Sequence, residues 1–314
     1  MFPLDWISRA AERIAPHIRQ TPLTFDADLG VWLKWENQQV TGSFKARGAL
    51  NKVLSLERWE QEVGLVAASA GNHGQGVALA GQLVNAPVIV FASEHASPVK
   101  IEKMRALGAE VRLVIGGYEQ AEAAGLHYAT EQGMTWVSPY NDAQVVAGQG
   151  TIGLEILQQA ELPPGTRVVV PVSGGGLIAG IAAALEGRPL RVVGAQAQVA
   201  PFMHALLTRG TQDGLPDLPS LADGLTGAVE ATAITIPIVR RLVNEIVLID
   251  EESLARGVAF AFHKYGEVIE PSAAVGLAAL LTGKIQAPAV IVISGGNIAK
   301  ERHAEICARY AEVR

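Results

Sequence analysis

Four short segments of this 314-residue chain set small residues beside groups that could do chemistry. Thr41-Gly42-Ser43-Phe44-Lys45-Ala46-Arg47-Gly48 offers a primary amine. Thr41 or Ser43 is expected to cap a helix running through Ala46, Ala49 and Leu50, which puts Lys45 in its first turn. The positive end of the helix dipole disfavours the ammonium there and lowers the pKa of the amine. The plainer reading is a solvated lysine, and the polar run from Glu36 to Gln39 gives no sign of burial. Ser69-Ala70-Gly71-Asn72-His73-Gly74-Gln75-Gly76 follows an apolar run, and successive backbone N–H groups at such a junction form an anion pocket that suits a carboxylate. Read plainly it is a glycine-rich turn capped by Asn72, but Asn, His and Gln among so many small residues argue for more. Ser173-Gly174-Gly175-Gly176-Leu177-Ile178-Ala179-Gly180 also follows a strand and opens a helix, an arrangement that holds a phosphate. It fits G-x-G-x-x-A as well, yet a dinucleotide site expects an acid about 20 residues on. The next strand ends at Gln196, so a nucleotide-binding oxidoreductase lacks its second requirement. Ser294-Gly295-Gly296-Asn297 is either another capped turn or a hydroxyl, that of Ser294, aimed at a ligand heteroatom.

The elements that must position these groups alternate. Apolar, β-branched runs at 31–35, 65–68, 87–91, 110–115, 135–138, 167–172, 190–195, 245–250 and 289–294 read as strands, most of them apolar throughout, as parallel strands covered on both faces are. Segments with helical spacing lie between, at 74–84, 98–107, 118–132, 148–160 and 251–263, while 162–165 and 210–219 read as loops. The alternation predicts an α/β fold with mainly parallel sheets. The four segments then fall at strand C-termini or helix starts, the edge at which such proteins bind ligands. Two α/β domains are expected: a large one from 1–55 and 142–314 with Lys45, the glycine loop and Ser294, and a small one over 56–141 with the pocket around Asn72.

With 49% hydrophobic residues, 18% charged and a net charge of −6, the chain has material for a large core and no Lys/Arg cluster, which speaks against nucleic acid and anionic membranes as partners. Residues 168–185 carry no charge, but Pro171, Ser173 and three glycines make them a strand, loop and buried helix rather than a membrane span. Residues 1–20 hold Asp5, Arg9, Glu12, Arg13 and Arg19 with no apolar core, unlike a signal peptide, so a cytoplasmic protein is expected. The single cysteine, Cys307, forms no internal disulfide and reads as a small buried hydrophobe.

An amine, a carboxylate pocket, a phosphate loop and a strand-end hydroxyl together describe a pyridoxal phosphate site. Six segments in order carry a resemblance: 42–49 around Lys45, 69–76 around Asn72, Ala147-Gly148-Gln149-Gly150-Thr151, Ser173-Gly174-Gly175-Gly176, Glu270-Pro271-Ser272-Ala273 and Ser294-Gly295-Gly296-Asn297. The chain resembles the fold-type II (tryptophan synthase β-like) pyridoxal-phosphate enzymes, specifically the threonine dehydratase and serine racemase group. The resemblance implies that Lys45 carries the cofactor aldehyde as an imine and that Phe44 flanks the ring. It implies that Gly174, Gly175, Gly176 and Leu177 hold the phosphate through backbone N–H groups, that Asn72 bonds the ring hydroxyl and that Ser294 meets the ring nitrogen. Ser69, Ala70, Gly71, Asn72 and His73 would cradle the substrate carboxylate. The implied reaction is loss of ammonia from threonine or serine, with homologous 3-hydroxy amino acids (phenylserine, hydroxyaspartate) or a serine racemase-like activity as alternatives. Members of the group are dimers or tetramers, so a homo-oligomer is implied.

Departures from the pattern narrow the subgroup. Threonine synthases of this fold read Ser-Phe-Lys-Asp-Arg, whereas Ala46 follows Lys45 here, as in dehydratase-like members. Racemases carry an acid/base serine just before Gly-Asn-His-Gly; this chain has Ala70, as threonine dehydratases do, and that favours elimination. Gln196-Ala197 stands where racemase-like members have an acidic metal ligand, so no metal is expected. The chain ends at Arg314, so feedback through a C-terminal regulatory domain is not expected.

Overall fold

A computed structural model describes residues 3–216 and 218–313; of the loop expected at 210–219, Asp217 lies outside the described residues. In chain order the elements are α1 (Leu4–Ile14), β1 (Leu23–Asp26), β2 (Val31–Trp35), α2 (Lys45–Leu54), α3 (Arg58–Val63), β3 (Leu65–Ala68), α4 (Asn72–Val84), β4 (Val88–Ser93), α5 (Pro98–Ala106), β5 (Glu110–Val114), α6 (Tyr118–Gln132) and β6 (Thr135–Trp136). They continue with α7 (Ala143–Gln159), β7 (Arg167–Pro171), α8 (Gly176–Ala184), β8 (Arg191–Ala197), α9 (Phe202–Thr208), α10 (Thr235–Leu242), β9 (Glu245–Ile249), α11 (Glu251–Tyr265), α12 (Pro271–Leu281), β10 (Ala289–Ile293) and α13 (Lys300–Arg309).

Two sheets result, one of six strands in the order β1-β2-β10-β7-β8-β9 and one of four in the order β5-β4-β3-β6. Every pairing is parallel except β1 with β2. Burial explains the composition: β10 is Ala-Val-Ile-Val-Ile and all five residues are buried, at the centre of the large sheet. The helices α8 and α12, apolar all round, are buried along most of their length, which is why the uncharged run 168–185 needs no membrane. Among the described residues no helix is long and apolar enough to cross one.

Helix α2 lies between the two halves of the molecule. Ala46, Ala49, Leu50 and Val53 join Leu65, Ala67, Val77 and Val90 in the core of the small sheet. On that side a Cβ at Gly76 would sit 3.0 Å from the Lys45 carbonyl oxygen. On the other side a Cβ at Gly148 of α7 would sit 2.6 Å from the Arg47 carbonyl oxygen. Both neighbours thus approach α2 at backbone distance because glycine leaves the room.

Candidate active site

Parallel strands place all their C-terminal ends on one edge, and the four chemistry-bearing segments meet there. The start of α2 is held by main-chain pairing. Ser43 bridges Gly295, Phe44 N–H donates to Ser294 O at 3.0 Å, and Gly296 N–H donates to Gly42 O at 2.9 Å. The expected side-chain cap is absent: Phe44 occupies the N-cap position with no capping bond. Thr41 Oγ1 only approaches Ser43 O at 3.5 Å, and Ser43 Oγ, buried, has no partner among the described residues. The pairing with residues 294–296 does the work the cap would have done.

Lys45 is the first residue of α2 and is half-buried. Its Nζ donates to Pro139 O at 2.8 Å and lies 5.2 Å from the centre of the Phe44 ring. Burial pulls its pKa down to about 8, partly offset by the nearby Glu270 carboxyl. The direction is the expected one, with desolvation as the main cause. Pro139 belongs to residues 137–141, which join the site together. Val137 O accepts from the His73 ring Nε2 at 2.8 Å, and the Tyr140 ring packs on the glycine loop. A Cβ at Gly174 would meet that ring at 2.5 Å, and one at Gly176 would meet Tyr140 Cβ at 2.9 Å. Gly175, with φ +89°, takes a conformation that side chains disfavour. Thr235 Oγ1 anchors the loop by donating to Gly174 O at 2.6 Å. The loop opens α8 without a side-chain cap, so the first N–H groups of Gly176, Leu177 and Ile178 have no intrahelical acceptor. A bare, glycine-lined helix start beside a poised amine fits the phosphate and aldehyde of pyridoxal phosphate.

The Ser69–Gly76 segment faces the same cleft. Ser69 Oγ accepts from Gly71 N–H at 3.0 Å, Ala70 is exposed, and Lys100 of α5 covers Gly71. Asn72 opens α4; its Nδ2 donates to Glu270 Oε1 at 2.6 Å and its Oδ1 accepts from Asn297 Nδ2 at 2.7 Å. His73 is buried and its pKa is pushed down to about 3, by desolvation first and then by Lys45. It stays a neutral imidazole whose Nε2–H is committed to Val137. Gln196 is buried, and its Oε1 accepts from His204 N–H at 3.0 Å.

Two residues beyond Lys45 a charge network underlies the site. Arg47, wholly buried, donates from Nε and Nη2 to Glu36 at 2.7 and 2.8 Å and from Nη1 and Nη2 to Glu155 at 2.6 and 3.0 Å. Lys34 completes it with a 2.5 Å contact to Glu155. The two carboxylates hold the Arg47 pKa above its usual value against burial. This network ties β2, α2 and α7 together, and Glu36, polar in sequence, is fully buried within it.

The structure brings together Phe44, Lys45, Ser69, Ala70, Gly71, Asn72, His73, Gly174, Gly175, Gly176, Leu177 and Ser294 at this edge. Sequence reasoning missed residues 137–141, Tyr140 above all, although Ser-Pro-Tyr-Asn directly after a strand was a visible turn signal. It also missed Lys100 and Lys103, which reach the cleft from α5.

The likenesses to known proteins agree with this geometry. The family described as pyridoxal-phosphate dependent enzyme matches residues 14–295. An L-threonine ammonia-lyase of Geobacter sulfurreducens is 41% identical over 310 residues, spanning 95% of this chain and 76% of the relative. Among solved structures, maize serine racemase superposes with a TM-score of 0.89 at 30% identity over 98% of both chains. Threonine deaminase isoform 2 from Solanum lycopersicum gives 0.89 at 29% identity, over 99% of this chain and 88% of that one. With a matched profile across most of its length and an amine set beside a glycine-lined helix start, the chain belongs to the family of pyridoxal-phosphate-dependent enzymes.

Proposed function

We propose that the protein is an ammonia-lyase that converts L-threonine, L-serine or both to 2-oxobutanoate or pyruvate and ammonia. The observation that carries the reading is Lys45 Nζ, drawn to a pKa of about 8 by burial and anchored on Pro139, whose neighbour Tyr140 floors the glycine loop. In this reading Gly174, Gly175, Gly176 and Leu177 hold the phosphate, Phe44 flanks the ring, and Asn72 and Ser294 meet its oxygen and nitrogen. Ser69, Ala70, Gly71, Asn72 and His73 receive the substrate carboxylate.

Pyridoxal phosphate, when bound, supplies an aldehyde for amines and a conjugated ring that withdraws electrons from Cα. The protein supplies the proton chemistry and the placing. Neutral Lys45 Nζ takes the Cα proton, and a depressed pKa raises the fraction able to do so near neutral pH. Ser294 would offer the ring nitrogen a hydroxyl rather than a carboxylate, a partner that would not require that nitrogen to be protonated and would suit prompt loss of the β-hydroxyl. The Cα proton and the hydroxyl depart as the elements of water, and the resulting enamine becomes an imine that hydrolyses to the 2-oxo acid and ammonia. Ala70 offers no proton, so elimination is favoured over racemisation.

We further place domain boundaries at 1–55 with 142–314 and at 56–141, a division supported by the confinement of β3–β6 to the middle segment. We propose a cytoplasmic homo-oligomer, dimer or tetramer. Borohydride reduction with peptide mapping is expected to leave a pyridoxyl group on Lys45, and Lys45→Ala to abolish turnover. A panel of threonine, serine, phenylserine and hydroxyaspartate, assayed for oxo acid and ammonia, identifies the substrate. A label elsewhere, or near-normal turnover by Lys45→Ala, would refute the reading.

A further inference from the structure

The Glu270-Pro271-Ser272-Ala273 segment carries a carboxyl for which the elimination has no obvious need. Glu270 precedes α12 and is 5% exposed. Among the described residues it makes no ion pair within 4.0 Å, an unusual state for a buried acid. Its place is built: a Cβ at Gly295 would lie 2.5 Å from Oε1, so the carboxyl occupies the space that glycine leaves. Among the described residues its one side-chain hydrogen-bond partner is Asn72. Asn72 stands in a directional chain, in which Lys103 Nζ donates to Asn297 Oδ1 at 2.8 Å, Asn297 Nδ2 to Asn72 Oδ1 at 2.7 Å, and Asn72 Nδ2 to Glu270 at 2.6 Å. Asn297 Nδ2 also donates to Thr41 O at 2.8 Å, which ties this chain to the Lys45 segment.

We propose that Glu270 is a positioning residue: its carboxylate holds the carboxamide of Asn72 in one flip and supplies the negative charge that faces Lys45. The inference rests on the reading of Lys45 as the cofactor-bearing amine. With Oδ1 taken by Asn297 and one N–H by Glu270, Asn72 keeps a single free N–H with a fixed direction, as a ligand for a ring oxygen must have. An ionised carboxylate can only accept, so it enforces that flip, whereas a protonated one can also donate and loses the enforcement. The charged and titratable groups around Glu270 are Lys45 from α2, Lys100 and Lys103 from α5 and Asp223 from the turn before Leu225; Lys100 is itself paired with Asp223 at 2.8 Å. Burial raises the Glu270 pKa to about 7, with Asp223 adding to the rise and Lys100, the Asn72 bond and Lys103 opposing it. Glu270 in turn holds the Lys45 pKa up. Taking the charge away therefore lowers the pKa of Lys45 and frees its lone pair at lower pH.

The test uses the full-length protein freed of cofactor and the pH profile of its second-order capture of pyridoxal phosphate, read by absorbance. The wild type is expected to show a midpoint near 8. Glu270→Gln keeps an acceptor for Asn72 and loses the charge. Its midpoint is expected to fall by roughly half a unit to two units, so that a one-unit fall speeds capture about fivefold at pH 7. Because the Gln amide can donate as well as accept, the flip of Asn72 is no longer enforced, and equilibrium affinity for the cofactor is expected to fall by about threefold or more. Asn297→Ala removes the far bond on Asn72 and leaves the charge, so its midpoint should hold while affinity falls roughly tenfold. The proposal is overturned by an unmoved midpoint in Glu270→Gln, or by full affinity in Asn297→Ala with its fold intact by near-ultraviolet circular dichroism. Borohydride mapping keeps the two readings apart: a label on Lys45 with an unmoved midpoint removes Glu270 alone, and a label elsewhere removes the amine assignment beneath it.

Discussion

Arg47 gives the sharpest test of how the site is held. Arg47→Met keeps much of the buried stem and deletes the guanidinium, which makes four bonds to Glu36 and Glu155, a fifth to Thr151 Oγ1 at 3.1 Å and a sixth, longer one to Arg19 O at 3.4 Å. The network of Arg47, Lys34, Glu36 and Glu155 balances two positive charges against two negative ones, all but Glu155 with fully buried side chains. The variant leaves two carboxylates facing one lysine with little water to screen them. Breaking a buried pair from one side costs about 3–5 kcal/mol, well above the 0–1 kcal/mol of an exposed pair. Urea unfolding of the cofactor-free protein reads the loss; with a slope near 3 kcal/mol/M the midpoint should fall by roughly 1 M or more. Glu36→Gln added to Arg47→Met restores neutrality and is expected to recover about 1–2 kcal/mol of the loss. A loss under about 1 kcal/mol for the single variant, or no recovery in the double, would show that the charges do not hold the helix start.

Gly174→Ala puts a methyl 2.5 Å from the Tyr140 ring and should weaken pyridoxal phosphate binding by tenfold or more, measured by titrating cofactor-free protein, with secondary structure unchanged. The His73 imidazole should show no titration by NMR between pH 8 and about 4.5, since its folded pKa lies near 3; a midpoint near 6.5 would contradict its burial. Because that pKa is depressed, the unfolded chain binds the extra proton and stability is lost as pH falls from 6.5 toward 3. Glu270 has the opposite sign. Its carboxyl is raised from 4.5 to about 7, so ionisation costs stability as pH rises through that window. Glu270→Gln should therefore gain roughly 2–3 kcal/mol over wild type at pH 8 relative to pH 4.5, read by unfolding at both pH values.

Much of the framework was legible because buried parallel strands leave an unbroken apolar signature. β2 and β3 fall at the expected 31–35 and 65–68, and α6 at 118–132. The start of α7 was placed five residues late, at 148, since glycines interrupt its pattern; Asp142, which accepts from Gln144 and Val145 N–H, marks the true cap. β1 escaped notice because Leu-Thr-Phe-Asp is a short antiparallel edge strand with mixed burial. In the site, glycines and amides announced themselves by type. Pro139 and Val137 act through carbonyl oxygens, which every residue has, so nothing in their side chains could point to them. The polar run at Glu36–Gln39 suggested exposure because its partners, Arg47 and Glu267, stand elsewhere in the sequence.

The close fit on both flanks of α2 makes the helix behave as a shim between two plates. Gly76 and Gly148 touch it through bare backbone, so adding one methyl to either flank must move the Lys45 main chain away from that side. The thickness of the gap, and with it the aim of the amine, is thus written in residues that never meet a ligand. A designer who wants a new substrate is free to recut the loops at the cleft mouth, but has to leave these two spacers as they are.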